Sequence, residues 1–88
     1  METRNLTIVN KLGLHARAAA AFVQTASKFA SDVWVEKDGL EVNGKSIMGL
    51  MMLAAEKGSN VNVRAEGKDS IEAMNSLEDL VAKGFGEV

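Results

Sequence analysis

The sequence contains no cysteine and no proline, and it has only one histidine among its 88 residues. Without cysteine the chain has no disulfide, no thiolate nucleophile and no cysteine-ligated metal site. It also lacks any apolar run near the roughly 20 residues that a membrane-spanning helix needs. The first ten residues, METRNLTIVN, have neither the basic nor the apolar region of a secretory signal. We therefore expect a cytoplasmic protein that does not insert into a membrane.

An excess of charge is also missing, because ten basic and twelve acidic residues leave a net charge of −2. This balance, together with only one tryptophan and three phenylalanines, argues against a nucleic-acid-binding protein. The charges are nevertheless unevenly distributed. Residues 1–31 carry four bases and one acid, whereas residues 32–88 carry six bases and eleven acids. The single histidine lies in the basic part, which suits an anionic ligand or an acidic partner.

Alternation of apolar and polar residues predicts four half-buried strands. The first is NLTIVN, the next two form a hairpin in SDVWVEKDGLEVNG, and the fourth is NVNVRAE. Asp38-Gly39, at the centre of the hairpin, is typical of a type I′ turn. Trp34 falls on the opposite face from Val33 and Val35, so we expect it on the open side of the sheet.

Helical spacing predicts three helices between and after the strands. The first covers about residues 16–29, the second begins after the capping residue Ser46 and ends near Gly58, and the third stops at Gly84. Asp69 and Glu72 resemble a capping box at the start of the third helix. The apolar positions are Ala19, Phe22, Val23, Ala26 and Phe29 in the first helix, and Ile71, Met74, Leu77, Leu80 and Val81 in the third.

The predicted order is β-α-β-β-α-β-α, with no linker, internal repeat or low-complexity segment. Helices and half-polar strands in this order pack most simply as one antiparallel sheet with its helices on one face. We therefore predict an α+β open-faced β-sandwich, a four-stranded antiparallel sheet with three helices on one face, formed by residues 1–88 as a single domain.

The histidine, His15, lies at the predicted start of the first helix. The first N–H groups of a helix have no intrahelical partner, and the helix dipole adds partial positive charge, so this end favours anions. The same field favours the neutral, nucleophilic imidazole over imidazolium. If the ring accepts a phosphoryl group, the N–H groups and Arg17 can hold its oxygens without a metal. A histidine that merely caps or covers the helix end is the alternative.

Three segments closely resemble the HPr family, the histidine phosphocarriers of the bacterial phosphoenolpyruvate-dependent sugar phosphotransferase system. They are NKLGLHARAAAAFVQTASKF, VNGKSIMGLMMLAAEKG and VRAEGKD, and the likeness extends over nearly the whole chain. The resemblance implies that His15 carries a phosphoryl group on Nδ1 and that Arg17 stabilises it. The group would come from enzyme I and pass to the A domains of sugar-specific enzymes II. The protein would be a substrate of these partners with no turnover of its own. We further expect a monomer without a cofactor or metal.

One residue departs from the family's motif, which reads His-Ala-Arg-Pro. Ala18 stands where proline is expected. Proline in the first helical turn fixes φ and lacks an N–H that would have no partner there, whereas alanine restores that donor and frees the backbone. The helix can still form with alanine, but we expect its start to be less firmly fixed.

The second motif begins at Ser46 and continues with six apolar or small residues, IMGLMM. All six cannot face inward on one short helix, so we expect part of them to form an adaptable contact surface. The resemblance implies that Ser46 is phosphorylated by an HPr kinase/phosphorylase; a plain helix cap is the alternative. A phosphate there would oppose an acidic partner while leaving the fold intact. The residues that we expect in partner docking are Ile47, Met48, Met51, Gln24 and Lys28.

A non-transferring regulatory or interaction domain of the same fold remains the alternative function, because a small α+β scaffold supports many activities. The two functions differ in one observable property. A carrier gains one phosphate from enzyme I and phosphoenolpyruvate, whereas an interaction domain does not.

Overall fold

The computed structural model of the protein describes residues 1–87, so Val88 of the predicted domain lies outside it. Four strands and three helices follow in the order β1-α1-β2-β3-α2-β4-α3, and a short 3₁₀ turn comes after α3. The strands are β1 (Glu2–Thr7), β2 (Asp32–Lys37), β3 (Leu40–Asn43) and β4 (Asn60–Glu66). The helices are α1 (Ala16–Ala26), α2 (Ile47–Met52) and α3 (Ser70–Ala82), and the 3₁₀ turn covers Gly84–Gly86.

The strands form one antiparallel sheet in the order β1-β4-β2-β3. Asp38 and Gly39 connect β2 to β3 with φ values of 51° and 86°. Positive φ at both central positions is what a type I′ turn requires, so the predicted hairpin turn is confirmed.

The three helices cover one face of this sheet, as predicted. The valines at alternate positions of β2 and β4 are buried against the helices, together with Leu6 in β1 and Ile8 just after it. Trp34 lies on the opposite, open face, where the Arg64 guanidinium is 5.9 Å from the centre of its ring. The open-faced β-sandwich predicted from the sequence is thus the observed architecture.

Helix α1 ends at Ala26, three residues before the predicted end at Phe29. The N–H groups of Lys28 and Phe29 bond to carbonyls three residues back, at 3.2 Å each, which tightens the turn. The N–H groups of Ala30 and Ser31 then turn to the Asp69 carboxylate, at 2.8 and 2.9 Å. The helix therefore ends here because the N–H groups that follow bond to other acceptors than the carbonyls four residues back.

Helix α2 is shorter than predicted, ending at Met52 rather than near Gly58. Ala54 has a φ of 50°, which a right-handed helix does not allow. The carbonyl of Ala55 accepts a hydrogen bond at 2.9 Å from the N–H of Leu14. Helix periodicity cannot predict this contact with the segment before α1, so the sequence pattern places the end of α2 too late.

Two sequence expectations about the start of α3 are wrong. Asp69 occupies the N-cap position, but its side chain makes no capping hydrogen bond because it binds Ala30 and Ser31 instead. Ile71 is 56% exposed, whereas Ala73 is fully buried in the position that faces the core.

Candidate functional site

His15 is the N-cap of α1, with φ −78° and ψ 178°. Its carbonyl accepts the N–H of Ala19 at 2.8 Å, which begins the helix, and its own N–H donates to Gly13 at 2.9 Å. The side chain makes no capping bond and is 29% exposed. The prediction that His15 lies at the helix start is confirmed, whereas the capping role considered for its ring is not observed.

The first turn of α1 leaves several backbone donors without acceptors. Within residues 1–87, the N–H groups of Ala16, Arg17 and Ala18 find no acceptor. These are the orphan donors of a helix N-terminus, and together with the helix dipole they favour a bound anion. Ala18 is completely buried, and α1 begins at Ala16 with alanine rather than proline at position 18.

Arg17 lines the same surface as the histidine. It is exposed and forms no ion pair or side-chain hydrogen bond with another of the described residues. Its guanidinium is therefore available for an incoming anion. An open cavity of about 590 Å³ is lined by His15, Arg17, Glu87, Leu12, Ala16, Phe85 and Gly86.

The chain following α3 brings a carboxylate into this cavity. Gly84, Phe85 and Gly86 all have positive φ, at 63°, 58° and 78°, and they turn the chain towards the start of α1. Nε2 of His15 then hydrogen-bonds to Oε2 of Glu87. This hydrogen bond is the main cause that lowers the pKa of Glu87 below its ordinary value, and burial partly opposes it.

Asn10 binds the same carboxylate oxygen as the histidine does. Its amide Nδ2 donates to Oε2 of Glu87 at 3.1 Å and to the carbonyl of Gly13 at 2.8 Å. The Asn10 residue is buried at 5% exposure. Sequence reasoning missed both Asn10 and Glu87, because a contact between residues 72 or 77 positions apart leaves no local periodic signal.

The second motif has the predicted local structure. Ser46 is the N-cap of α2, and its Oγ accepts the N–H of Gly49 at 3.0 Å. Leu50 is fully buried, whereas the side chains of Ile47, Met48 and Met51 remain exposed. The helix therefore presents an apolar outer face.

Two further exposed apolar residues were not among the expected docking residues. Leu12 and Met52 are each 66% exposed, and Leu12 also lines the His15 cavity. Gln24 and Lys28 are exposed, but they lie nine and thirteen positions after His15. At about 1.5 Å per residue, Gln24 is about 13 Å along the helix axis from the histidine. These two side chains therefore do not belong to the immediate surroundings of the ring.

No helix within residues 1–87 is both long and apolar enough to cross a membrane. Among the same residues, no three histidine, cysteine, aspartate or glutamate side chains come together in a way that could hold a metal ion.

A comparison of the whole sequence with known families shows which family the chain belongs to. The family model described as "PTS HPr component phosphorylation site" matches residues 2–83. The chain belongs to the HPr family of the phosphotransferase system.

Individual HPr proteins support this assignment over the full length. The phosphocarrier protein HPr of Neisseria meningitidis is 56% identical over 87 residues, which covers 99% of this chain and 98% of that protein. The crystal structure of HPr-C-His from Thermoanaerobacter tengcongensis has a TM-score of 0.96 and 55% identity, covering 100% of this chain and 99% of that one. A crystal structure of an HPr dimer from the same organism gives a TM-score of 0.79, covering 99% and 100%. The resemblance in the sequence is thus confirmed at the level of family and fold.

Proposed function

We propose that this member of the HPr family accepts a phosphoryl group on Nδ1 of His15 from phospho-enzyme I. It then passes the group to the A domains of sugar-specific enzymes II. The protein is a carrier, with no turnover of its own. In the transfer, the Nδ1 lone pair forms a bond to phosphorus while the bond from phosphorus to enzyme I breaks, and that electron pair stays with enzyme I.

The observation that carries this proposal is the combination found at the start of α1. The only histidine of the chain is the N-cap, and its ring makes no capping bond. Backbone donors of α1 and the Arg17 guanidinium, which have no partner among residues 1–87, lie beside it at an open cavity. An anion on the ring can therefore be held by several modest interactions near the surface, which suits a group that must be released again.

The deciding experiment is the intact mass of the protein after incubation with enzyme I, magnesium and phosphoenolpyruvate. We expect a gain of one acid-labile phosphate, absent from His15→Ala. The variant should keep its fold, as judged by circular dichroism, because His15 is 29% exposed and its backbone bonds do not need the imidazole. If enzyme I phosphorylates a standard HPr but not this protein, the non-transferring interaction domain becomes the better description.

Arg17 is proposed to stabilise the phosphoryl group. Its side chain is exposed and without an ion-pair partner among residues 1–87, so removing it should leave the fold unchanged. Arg17→Ala should lower the rate of phosphoryl transfer by about tenfold, the scale of one charge-assisted hydrogen bond. Arg17→Lys keeps the charge without the planar guanidinium, so its transfer rate should lie between those of the wild type and Arg17→Ala. Equal rates in all three proteins would exclude this role.

We propose that partners dock on the exposed outer face of α2, through Ile47, Met48 and Met51. Methionine side chains adapt their shape to different apolar partners, which suits a carrier that must meet both enzyme I and enzymes II. Gln24 and Lys28 would add polar contacts from α1, where the lysine can meet an acidic partner. Met48→Lys should weaken binding to enzyme I in a titration, and Lys28→Ala should weaken it less.

Ser46 is proposed to be a regulatory phosphorylation site for an HPr kinase/phosphorylase. It is partly exposed and directly precedes the apolar residues of α2. A dianion there would be placed beside the docking face without breaking the helix. Ser46→Asp should therefore weaken binding to enzyme I while the protein stays folded, and unchanged affinity would count against this role.

We propose that the working form is a monomer. All four strands pair with one another within one chain, and the hydrophobic core is formed by residues of that chain. Sedimentation equilibrium at micromolar concentration should give the mass of one chain. A two-chain mass would instead match the dimer solved for the Thermoanaerobacter tengcongensis HPr.

A further inference from the structure

The carboxylate of Glu87 contacts the nitrogen of His15 that is not expected to carry the phosphoryl group. An ionised carboxylate can only accept hydrogen bonds, and the lowered pKa keeps Glu87 ionised at neutral pH. The contact with Nε2 therefore requires that Nε2 carry the proton. In the neutral ring, Nδ1 is then left with its lone pair, and no residue within 1–87 forms a hydrogen bond to it.

We propose that Glu87 is a positioning residue that keeps the His15 ring in the tautomer with a free Nδ1. This rests on the proposed function, because the advantage lies in presenting Nδ1 to the phosphoryl donor. The role is that of a carboxylate that orients a histidine by accepting the proton of its other nitrogen.

The negative charge of Glu87 is also opposite in sign to the charge that develops on the ring. When the Nδ1 lone pair bonds to phosphorus and the proton remains on Nε2, the ring itself becomes positively charged. The carboxylate lies against Nε2 and stabilises this charge, while Arg17 and the backbone donors of α1 are available for the phosphoryl oxygens. The Glu87 carboxylate then lies at Nε2 and the phosphoryl group at Nδ1, so the two negative groups are on different nitrogens of the ring. The positive charge of Arg17 also contributes to lowering the pKa of Glu87.

The geometry behind this contact is built by two separate parts of the chain. The turn at Gly84–Gly86 directs the chain towards α1, although Phe85 takes a left-handed conformation that a bulky residue seldom adopts. Asn10 also donates a hydrogen bond to Oε2 of Glu87, the oxygen that contacts the imidazole, and the Asn10 amide is anchored on the Gly13 carbonyl. Glu87 is thus held between a buried amide and the imidazole.

Two variants separate the hydrogen bond from the charge. Glu87→Gln keeps an oxygen that can accept from Nε2–H but removes the charge, and Glu87→Ala removes both. The matched control is Glu72→Gln, which removes one negative charge from an exposed residue in the first turn of α3. Circular dichroism and the melting temperature check that each protein is folded.

Nitrogen-15 NMR of the unphosphorylated protein reports the tautomer without any transfer reaction. We expect the neutral ring of the wild type and of Glu87→Gln to be protonated at Nε2, and Glu87→Ala to show a measurable fraction protonated at Nδ1. The rate of phosphoryl acceptance from phospho-enzyme I should fall about tenfold in Glu87→Ala and about threefold in Glu87→Gln. The control should match the wild type in both measurements.

Wild-type tautomers and wild-type rates in both Glu87 variants would overturn the proposal. A faster rate in Glu87→Ala would also overturn it, because the carboxylate would then hinder the phosphoryl group. A wild-type protein that gains no phosphate would instead refute the proposed function. The tautomer comparison would still decide whether Glu87 orients the ring.

Discussion

Ala18 occupies the position at which the resemblance to HPr implies a proline. The residue has the backbone N–H that proline lacks, and that N–H has no acceptor within residues 1–87. It is therefore an additional donor near His15, and no helical hydrogen bond would be lost if it were absent. Its side chain is completely buried, so any larger residue must fit the core.

Ala18→Pro should raise the free energy of unfolding by about 0.4–1 kcal/mol, because proline restricts the unfolded chain and sacrifices no helical bond here. Urea denaturation measures the change. The matched control is Ala20→Pro, one turn into α1, where proline removes a bond inside the helix and should cost about 3 kcal/mol. A loss of stability in Ala18→Pro would show that the ring does not fit the buried site.

At the scale of elements, α2 depends on its cap more than a longer helix would. It has six residues, and the Ser46 hydroxyl satisfies one of its first N–H groups. A helix this short has little stability of its own, so the cap and the burial of Leu50 hold it.

Ser46→Ala should lower the free energy of unfolding by about 1 kcal/mol, the usual cost of losing an N-cap side chain. Ser46→Asp should keep most of that stability, because aspartate caps a helix equally well. Chemical denaturation of the three proteins gives the comparison. If both variants lose the same free energy of unfolding, Ser46 does not stabilise the protein through its capping hydrogen bond.

A second connection between elements runs through Asp69. Its carboxylate accepts the N–H groups of Ala30 and Ser31 and the Ser31 hydroxyl, which joins the end of α1 to the start of α3. These hydrogen bonds lower the pKa of Asp69 below its ordinary value of 3.8, with the Ser31 side chain as the main cause.

Because this pKa is lowered in the folded state, its contribution to stability is present above about pH 3.8 and is lost as the pH falls through the folded value. Asp69→Asn should therefore be less stable than the wild type at pH 7, and the difference should shrink at pH values below 3.8. Thermal unfolding across this range tests the prediction, with Asp32→Asn as the control. A difference that is constant with pH would mean that the charge is unimportant.

At the scale of the whole molecule, the segment that presents His15 is fixed by the segment after α2. The Leu14 N–H binds the Ala55 carbonyl, and Gly13 approaches the same carbonyl so closely that an added Cβ would lie 2.3 Å from its oxygen. Gly13 also has a φ of 68°. Both features require glycine at this position.

Gly13→Ala should lower the free energy of unfolding by about 2–5 kcal/mol, the sum of a left-handed alanine and an overpacked contact. Gly39→Ala is the matched control, because it also has positive φ but meets no atom within 4 Å. It should cost only about 1–2 kcal/mol. Equal losses in the two variants would show that the contact with Ala55 can relax.

Much of the fold could be predicted because its signals are local. Alternating residues such as Val61 and Val63 identify β4, and the turn at Asp38-Gly39 needs only its two residues. The predictions for Asp69 and Ile71 are wrong for the opposite reason. The pattern around them fits a capped, amphipathic helix, but the Asp69 side chain binds a distant loop and Ile71 faces outwards.

The candidate site also contains residues that local sequence motifs indicate and residues that only the fold brings together. His15, Arg17 and Ser46 are identified by motifs of a few residues at helix starts, where the geometry of the first turn determines what each can do. The sequence by itself also determined the element order, because burial on one face of a strand or helix repeats at a short, regular interval. Only the tertiary structure decided that Asn10 and the His15 ring both bind the Glu87 carboxylate, since these contacts depend on how the segments after β1 and α3 approach α1 in space.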